Sequence, residues 1–317
     1  MFKPLVSVYL VSYNQEKYIR EGLESVLSQK GNFQLEIVVA DDASTDSTAQ
    51  IIAEYKRRYP DVIVPILRTV NIGPNANIID AISHCTGEFI AHMDGDDLML
   101  PGKIQAQLDV FASHADCMIV AHNMNVFEGD DLGNVWLYNK VPMKKCRDIN
   151  DIVRNGAQIC NSSNMFRRSC LKNGLPYLPT KVVGDWLFHI QKLRSGNLYY
   201  IDTILGCYRR NNGSLVRKNI DNIELIMQDL LLTIEVAKSY PEVTHESILY
   251  ANSRVYLERS IRYLEAGNVL KFKSLIAASR EFLSLGIKQS VLYYLSFFPS
   301  LLNFGVLQYR KIFKAKI

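Results

Sequence analysis

The chain has 317 residues, 48% of them hydrophobic and 21% charged, with a net charge of +4. That is ordinary for a globular protein of one large domain and a smaller one, and too weakly basic to argue for nucleic acid as a partner. The six cysteines are scattered, with no Cys-x-x-Cys pair, which reads as reduced thiols of a cytoplasmic protein and not as a disulfide framework.

Pro4 to Val11 is a bounded, β-branched apolar run and predicts a buried strand. Ser7 interrupts it and Ser12-Tyr13-Asn14 follows at once, so it is read as a strand and not as a secretory leader. Glu16 to Gln29 carries Ile19, Leu23, Val26 and Leu27 at helical spacing. Leu35 to Ala40 is a second strand ending in Asp41-Asp42, and the capping residues Ser44-Thr45-Asp46 precede a helix from Ser47 to Arg58. Val62 to Leu67 is a third strand, and Pro74 to His84 a helix. Phe89 to Met93 is a fourth strand, which runs straight into Asp94-Gly95-Asp96-Asp97.

Carboxylates this close repel by roughly 3 kcal/mol per pair at about 5 Å and an effective dielectric of about 20. A divalent cation, Mg²⁺ or Mn²⁺, would relieve that cost. An acidic turn or helix cap is the bland alternative. Apolar strands alternating with helices predict a mainly parallel sheet covered on both faces. Ligands of such sheets bind beyond the carboxyl ends of the strands. Ser12-Tyr13, Asp41-Asp42 and the acidic cluster should therefore line one crevice.

Further along, Pro101 to Ser113 predicts a helix, Met118 to Phe127 a strand, and 128–150 a loop-rich excursion. Gln158 to Arg167 reads as extended, Gly184-Asp185-Trp186 opens a helix to Arg194, and Leu198 to Arg209 is a strand. From about Asn219 the texture is helical, with Ile248 to Glu265 and Val269 to Leu285 as an antiparallel pair. The segment Val291 to Ile317 is rich in Leu, Phe and Tyr and closes with Arg310, Lys311, Lys314 and Lys316. It fits a segment lying on an anionic membrane surface, or a core helix with a solvated basic end. No run of 18 apolar residues predicts a membrane-spanning helix.

Five stretches occur in order: Val6-Ser-Val-Tyr-Leu-Val-Ser-Tyr-Asn14, Glu24-Ser-Val-Leu-Ser-Gln29, Val39-Ala-Asp-Asp-Ala-Ser-Thr-Asp46, Gly87 to Asp97, and Gly184-Asp-Trp186. Over roughly residues 4–215 the chain resembles a bacterial family-2 glycosyltransferase, an inverting, nucleotide-sugar-dependent enzyme. The resemblance implies the α/β GT-A fold: a mixed, mainly parallel sheet flanked by helices, here with a C-terminal helical extension. It divides the chain into a catalytic domain at 1–215, with a nucleotide-sugar half to about 115 and an acceptor half from 116, and a helical region at 216–317.

Carried over by position, the resemblance puts Tyr13 on the nucleobase, with Val11 and Ser12 meeting it through backbone. Asp42 would accept from a pyrimidine N3–H, Asp94 would contact the ribose or sugar, and Asp96 would ligate the metal bridging the diphosphate. Asp185 would be the general base and Trp186 a platform for the acceptor sugar. Each has a bland alternative: packing at a strand end for Tyr13, a helix cap for Asp185, core for Trp186. Asp41 is favoured as a structural acid, and His92 as a hydrogen-bonded core histidine. His122 and His189 carry no assignment. Where many relatives have an Ala-Arg-Asn segment, this chain has Asn75-Ala76-Asn77. Lys103, Arg209 or Arg210 are candidates to replace that cation. The implied reaction moves a hexose from a UDP-sugar to a hydroxyl of a saccharide or lipid-linked acceptor in surface polysaccharide synthesis, at the inner face of the cell membrane. A sugar-nucleotidyltransferase is one rival, although the Gly-rich basic loop it needs after the first strand is replaced by Ser12-Tyr13-Asn14. A catalytically silent sugar-nucleotide or lipid-binding protein is the other.

Overall fold

The computed structural model describes residues 3–172, 174–211 and 222–298. The chain divides into two compact units. The first comprises 1–152, 157–179 and 184–214, and the second 153–156, 180–183 and 215–317.

The first unit opens with β1 (Leu5–Ser12), α1 (Ile19–Leu27), β2 (Gln34–Asp41), α2 (Thr48–Arg58) and β3 (Ile63–Leu67). It continues through α3 (Pro74–Ser83), β4 (Phe89–Asp94), the two-residue β5 (Leu98–Met99) and α4 (Lys103–Ser113). Then come β6 (Cys117–Glu128), β7 (Asp131–Leu137), β8 (Cys146–Arg147), α5 (Ile149–Asn155), β9 (Met165–Arg167), α6 (Asp185–Lys192) and β10 (Asn197–Arg210).

The sheet order is β3-β2-β1-β4-β9-β6-β10-β5, with β7 beside β6 and β8 beside β10. The β3-β2-β1-β4 block is parallel, as is the β6–β10 pair. The short β9 runs antiparallel to both β4 and β6 and joins the two halves. The sheet is therefore mixed and mainly parallel, as expected. Its core lies on one face of the parallel block, where Val8, Leu10, Ile37, Val39, Ala91 and Met93 are fully buried. On the opposite face Tyr9 and His92 are register partners, with ring centroids 4.8 Å apart. The alternation of side chains along a strand places Asp94 on that same face as His92.

Three elements differ from the sequence reading. The 128–150 excursion holds two strands and the start of α5; β7 is exposed along most of its length, which blurs the apolar alternation that marks a half-buried strand. The two-residue β5 is too short to leave a periodic signal. The 158–167 segment is extended only at β9 and contains a 3-10 turn at Asn161–Ser163.

The second unit contains α7 (Ile223–Lys238), α8 (His245–Glu265), α9 (Val269–Phe282) and α10 (Ile287–Leu295). Asn222, Thr244 and Asn268 cap the first three through their side chains. A buried polar knot holds α8, α9 and α10 together. The Gln289 amide donates to Ser253 Oγ at 3.0 Å, Ser279 Oγ at 2.8 Å and Leu283 O at 3.0 Å, and accepts from Leu285 N at 2.7 Å. Elsewhere in this unit the Asp229 carboxylate accepts from the backbone N–H groups of Lys181, Val182 and Val183.

Helix α1 lies against the acidic turn with no room to spare. A Cβ on Gly22 would sit 2.7 Å from Gly95 O. Because the obstacle is backbone, Gly22→Ala is expected to lower stability by about 1–3 kcal/mol. Denaturant unfolding checks this, and an unchanged midpoint would contradict the close approach.

Candidate active site

The carboxyl ends of β1, β2 and β4 lie side by side. Ser12 is the register partner of Asp41, and Val11 the partner of both Ala40 and Asp94. Asp41 is structural, as the sequence suggested: it accepts from Ser12 Oγ at 2.9 Å, Ser44 N at 3.0 Å and Ser44 Oγ at 2.5 Å. Tyr13, beyond the end of β1, is 50% exposed, so its ring is free to meet a ligand.

Asp42 is only 3% exposed. Its carboxylate accepts from Ile72 N at 2.8 Å and Gly73 N at 2.9 Å, which ties the 71–73 loop to the end of β2. A carboxylate has about four acceptor sites, and these two bonds use half of them.

Asp94, Asp96 and Asp97 have three different surroundings. His92 Nε2 lies 3.0 Å from Asp94 Oδ1. Burial alone would raise the Asp94 carboxyl, but the charge and hydrogen bond of His92 hold it below the ordinary range. Burial and then Asp94 push Asp96 up to about 6, only partly offset by Asn211 Nδ2, which donates to Asp96 Oδ2 at 2.8 Å. Asp97 is fully buried and its carboxyl is pushed well above the usual range, first by burial and then by its two acidic neighbours. Its Oδ1 accepts from Arg209 N at 2.8 Å, while Oδ2 has no partner among the described residues.

Arg209 braces this turn. Its guanidinium donates to Asp96 O at 2.8 Å, Gly129 O at 2.6 Å and Glu21 at 2.6 Å, and pairs with Asp130 at 3.1 Å. It lies over the Tyr18 and Phe127 rings, 4.4 and 4.5 Å from their centroids. It is 3% exposed and fully engaged, which corrects its listing as a replacement cation for a diphosphate. Lys103 is corrected too: it is fully buried, and burial lowers its ammonium to about 7. Arg210 is exposed, with its guanidinium 5.8 Å from the Trp136 ring centroid.

Asp185 is the first residue of α6. It is open to water at the mouth of a narrow cavity lined by Tyr9, His92, Asn161, Asn164 and Gly184. Partial loss of water around its carboxyl raises it, and Asp94 adds to this; the Asn161 hydrogen bond, His92 and Lys192 work the other way. Asp185 thus shares its electrostatic surroundings with Asp94. A Cβ on Gly184 would sit 2.7 Å from Asn75 Oδ1 and push that side chain aside. Trp186 does not face the cavity. It is 6% exposed and its Nε1 donates to Ile152 O at 2.8 Å, so the ring belongs to the core and cannot serve as an acceptor platform.

Sequence reasoning missed several partners. His92 is buried and hydrogen-bonded, as expected, and the two-residue strand period could have named Asp94 as its partner. Lys192, two helical turns beyond Asp185, is buried, and burial lowers it to about 7. It donates to Asn164 Oδ1 at 3.2 Å and sits 4.0 Å from the Phe188 ring centroid.

Among the described residues, no group of three or more His, Cys, Asp or Glu is arranged to hold a metal ion. The acidic turn suits a cation shared with a ligand. Magnesium commonly binds through one or two carboxylates plus substrate phosphates. A carboxylate that raises its neighbour's proton affinity, as Asp94 does to Asp96, presents the charge a divalent ion relieves.

The mixed, mainly parallel sheet flanked by helices is a GT-A class of fold, matching solved structures. The sequence pattern described as Glycosyl transferase family 2 matches residues 7–175, more than half of the chain. The protein belongs to that family. It is 32% identical over 235 residues to the putative glycosyltransferase EpsE of Bacillus subtilis, covering 71% of this chain and 81% of that one. An uncharacterized protein of Mycobacterium tuberculosis is 33% identical over 210 residues, and the chain spans 59% of its length. The fold is similar to that of the mannosyltransferase PcManGT from Pyrobaculum calidifontis in complex with GDP-Man and Mn²⁺. The TM-score is 0.61 at 17% identity, covering 95% of this chain and 81% of that one. It is also similar to Staphylococcus aureus TarS 1-349 in complex with UDP-GlcNAc, with a TM-score of 0.58 at 17% identity, covering 90% and 93%.

The raised Asp96 makes a pH-dependent stability prediction. Its contribution to stability is full below 3.8 and is lost as pH rises through about 6. Asp96→Asn, which cannot ionise, should stabilise the metal-free protein by about 1–3 kcal/mol at about pH 7.5 and by much less at about pH 4. Thermal unfolding at both pH values reads this, and an equal change at both would contradict it.

Proposed function

We propose that the protein is a metal-dependent, inverting glycosyltransferase. It moves a hexose from a nucleotide sugar, with UDP as the favoured nucleotide, to a hydroxyl of a saccharide or lipid-linked acceptor in surface polysaccharide synthesis. The observation that carries the reading is that His92, hydrogen-bonded to Asp94, lines the same narrow cavity as Asp185. Family membership and neighbours whose complexes contain UDP-GlcNAc and GDP-Man support a nucleotide-sugar donor.

In this reading Tyr13 stacks on the base, with Val11 and Ser12 lending backbone contacts. Asp42 accepts from the base N–H, and Asp94 orients the ribose or sugar. Asp96 holds the divalent ion, Mg²⁺ or Mn²⁺. When bound, that ion supplies Lewis-acid charge at the departing diphosphate. Asp185 takes the proton of the acceptor hydroxyl. A carboxyl raised by its surroundings is a stronger base once ionised, and it works best when its pKa lies nearer the operating pH.

The acceptor side of the proposal places the protein on the cytoplasmic face of the membrane. The basic residues Arg310, Lys311, Lys314 and Lys316 lie outside the described residues, and no described helix is long and apolar enough to cross a bilayer. The described α10 exposes Ile287, Val291 and Tyr294 at helical spacing, and Phe298 just beyond its end is exposed as well. Because Gln289 is locked into the helical unit, a truncation that tests the tail belongs after residue 298. That truncation is expected to reduce partition onto anionic vesicles at least tenfold, with each near-surface Lys or Arg worth about 1 kcal/mol. Equal partition of both forms would remove the membrane from the proposal.

The reaction itself is tested with UDP-glucose, UDP-N-acetylglucosamine, dTDP-glucose and GDP-mannose, each with and without Mn²⁺. One donor should raise the melting temperature only with the metal and should release nucleotide. Asp185→Asn should keep the donor-induced shift but lose turnover by about 100-fold or more. Equal rates for Asp185→Asn and wild type would remove the base assignment.

A further inference from the structure

Between Cys160 and Asn164 the chain makes a single 3-10 turn where an extended segment was expected. Its polar groups reach the backbone of Asp94 and the side chain of Asp185. Ser162 Oγ accepts from Asp94 N at 3.0 Å. Asn161 lines the same narrow cavity as Asp185, and hydrogen bonding by its side chain lowers the Asp185 carboxyl. Asn164 O accepts from His92 N at 3.2 Å, its Oδ1 accepts from Lys192 Nζ at 3.2 Å, and its Nδ2 donates to Asn161 O at 2.5 Å. From below, Gln107 Nε2 donates to Ser163 O at 2.9 Å, and Ser163 Oγ donates to Cys160 O at 2.6 Å. Ser162, Ser163 and Asn164 are buried, while Asn161 lines the cavity.

Such a turn has little freedom of its own, because its buried side chains are hydrogen-bonded to the elements around it. A carboxylate at the open mouth of a cavity has more. Asp185 can present its oxygens in several rotamers, and only some face an incoming hydroxyl. One fixed amide donor selects among them. We propose that the Cys160–Asn164 turn couples the donor-side Asp94 to the acceptor-side Asp185, and that Asn161 is the positioning residue that aims the Asp185 carboxylate. This rests on the reading of Asp185 as the base.

A hydrogen bond to the ionised form also favours that form. Removing it therefore changes an observable that exists without any substrate. The other titratable groups around Asp185 are His92 and Asp94 on β4, Tyr9 on β1, Lys192 on its own helix, Cys160 on the turn and Tyr138 after β7. None of them is altered by a substitution at residue 161.

The test is a carbon-13 titration of the aspartate carboxyls in the full chain, with the Asp185 signal assigned by its loss in Asp185→Asn. In Asn161→Ala the Asp185 midpoint should move upward, and in Asn161→Ser, which keeps a donor, by less. With the donor that turns over in the panel above, Asn161→Ala should lower kcat about tenfold or more and leave KM for the donor within about twofold. The acid limb of its pH profile should shift in step with the midpoint. A folded Asn161→Ala protein with an unmoved Asp185 midpoint would overturn the proposal. If the alanine variant does not fold, the serine variant carries the same criterion. Full turnover by Asp185→Asn would end the base reading, while the titration would still decide whether Asn161 holds the carboxylate.

Discussion

Arg209 makes the acidic turn possible without neutralising it. Three carboxylates within four residues would repel one another by roughly 3 kcal/mol per pair at about 5 Å. The arginine does not meet the Asp94 or Asp96 carboxylate. Its guanidinium binds the Asp96 carbonyl, the 129–130 loop and Glu21, and its backbone N–H goes to Asp97. The turn is held by its main chain and its innermost acid. The two outer carboxylates keep their charge for a ligand, one steadied by His92 and the other by Asn211. The local electrostatic penalty is the same feature that would make a cation bind, which is how strain at a site serves function.

The second constraint is the register of β1 and β4. Pairing Tyr9 with His92 and Val11 with Asp94 puts the histidine beneath the aspartate and opens the same face toward α6. Asp185, 91 residues beyond Asp94, is raised by partial loss of water and then by the Asp94 charge, and Asn161 and Lys192 act in turn on Asp185.

The parallel half of the sheet was legible because its strands are apolar on both faces and end in polar clusters, as at Ala40-Asp41-Asp42 and Met93-Asp94. The acceptor half was harder. The exposed β7 and two-residue β5 and β8 leave little periodic signal, and β9 is three residues long. Site residues fared in the same way. Asp185 was singled out by the family resemblance, its place opening a helix being equally that of a cap, and it does reach the cavity. Trp186, its neighbour, could not be oriented from sequence, because one step along a helix turns a side chain by about 100°. Lys103 and Arg209 look like surface cations in a sequence, and only three-dimensional packing reveals that one is fully enclosed and the other serves as a brace. The Asn161-Ser-Ser-Asn164 run did carry a usable signal: four polar residues between buried apolar ones demand hydrogen-bond partners of their own.

The proposed reaction requires a metal-bound diphosphate on the acidic turn, with Asp185 across the sugar from it. A crystal of the protein grown with Mn²⁺ and UDP, read by anomalous scattering from the manganese, tests this directly. The account predicts a manganese peak within coordinating distance of the Asp96 carboxylate, with the diphosphate bound to it and Asp185 across the cavity. Manganese and UDP bound together away from Asp96, or Asp185 on the diphosphate side of the sugar pocket, would contradict it.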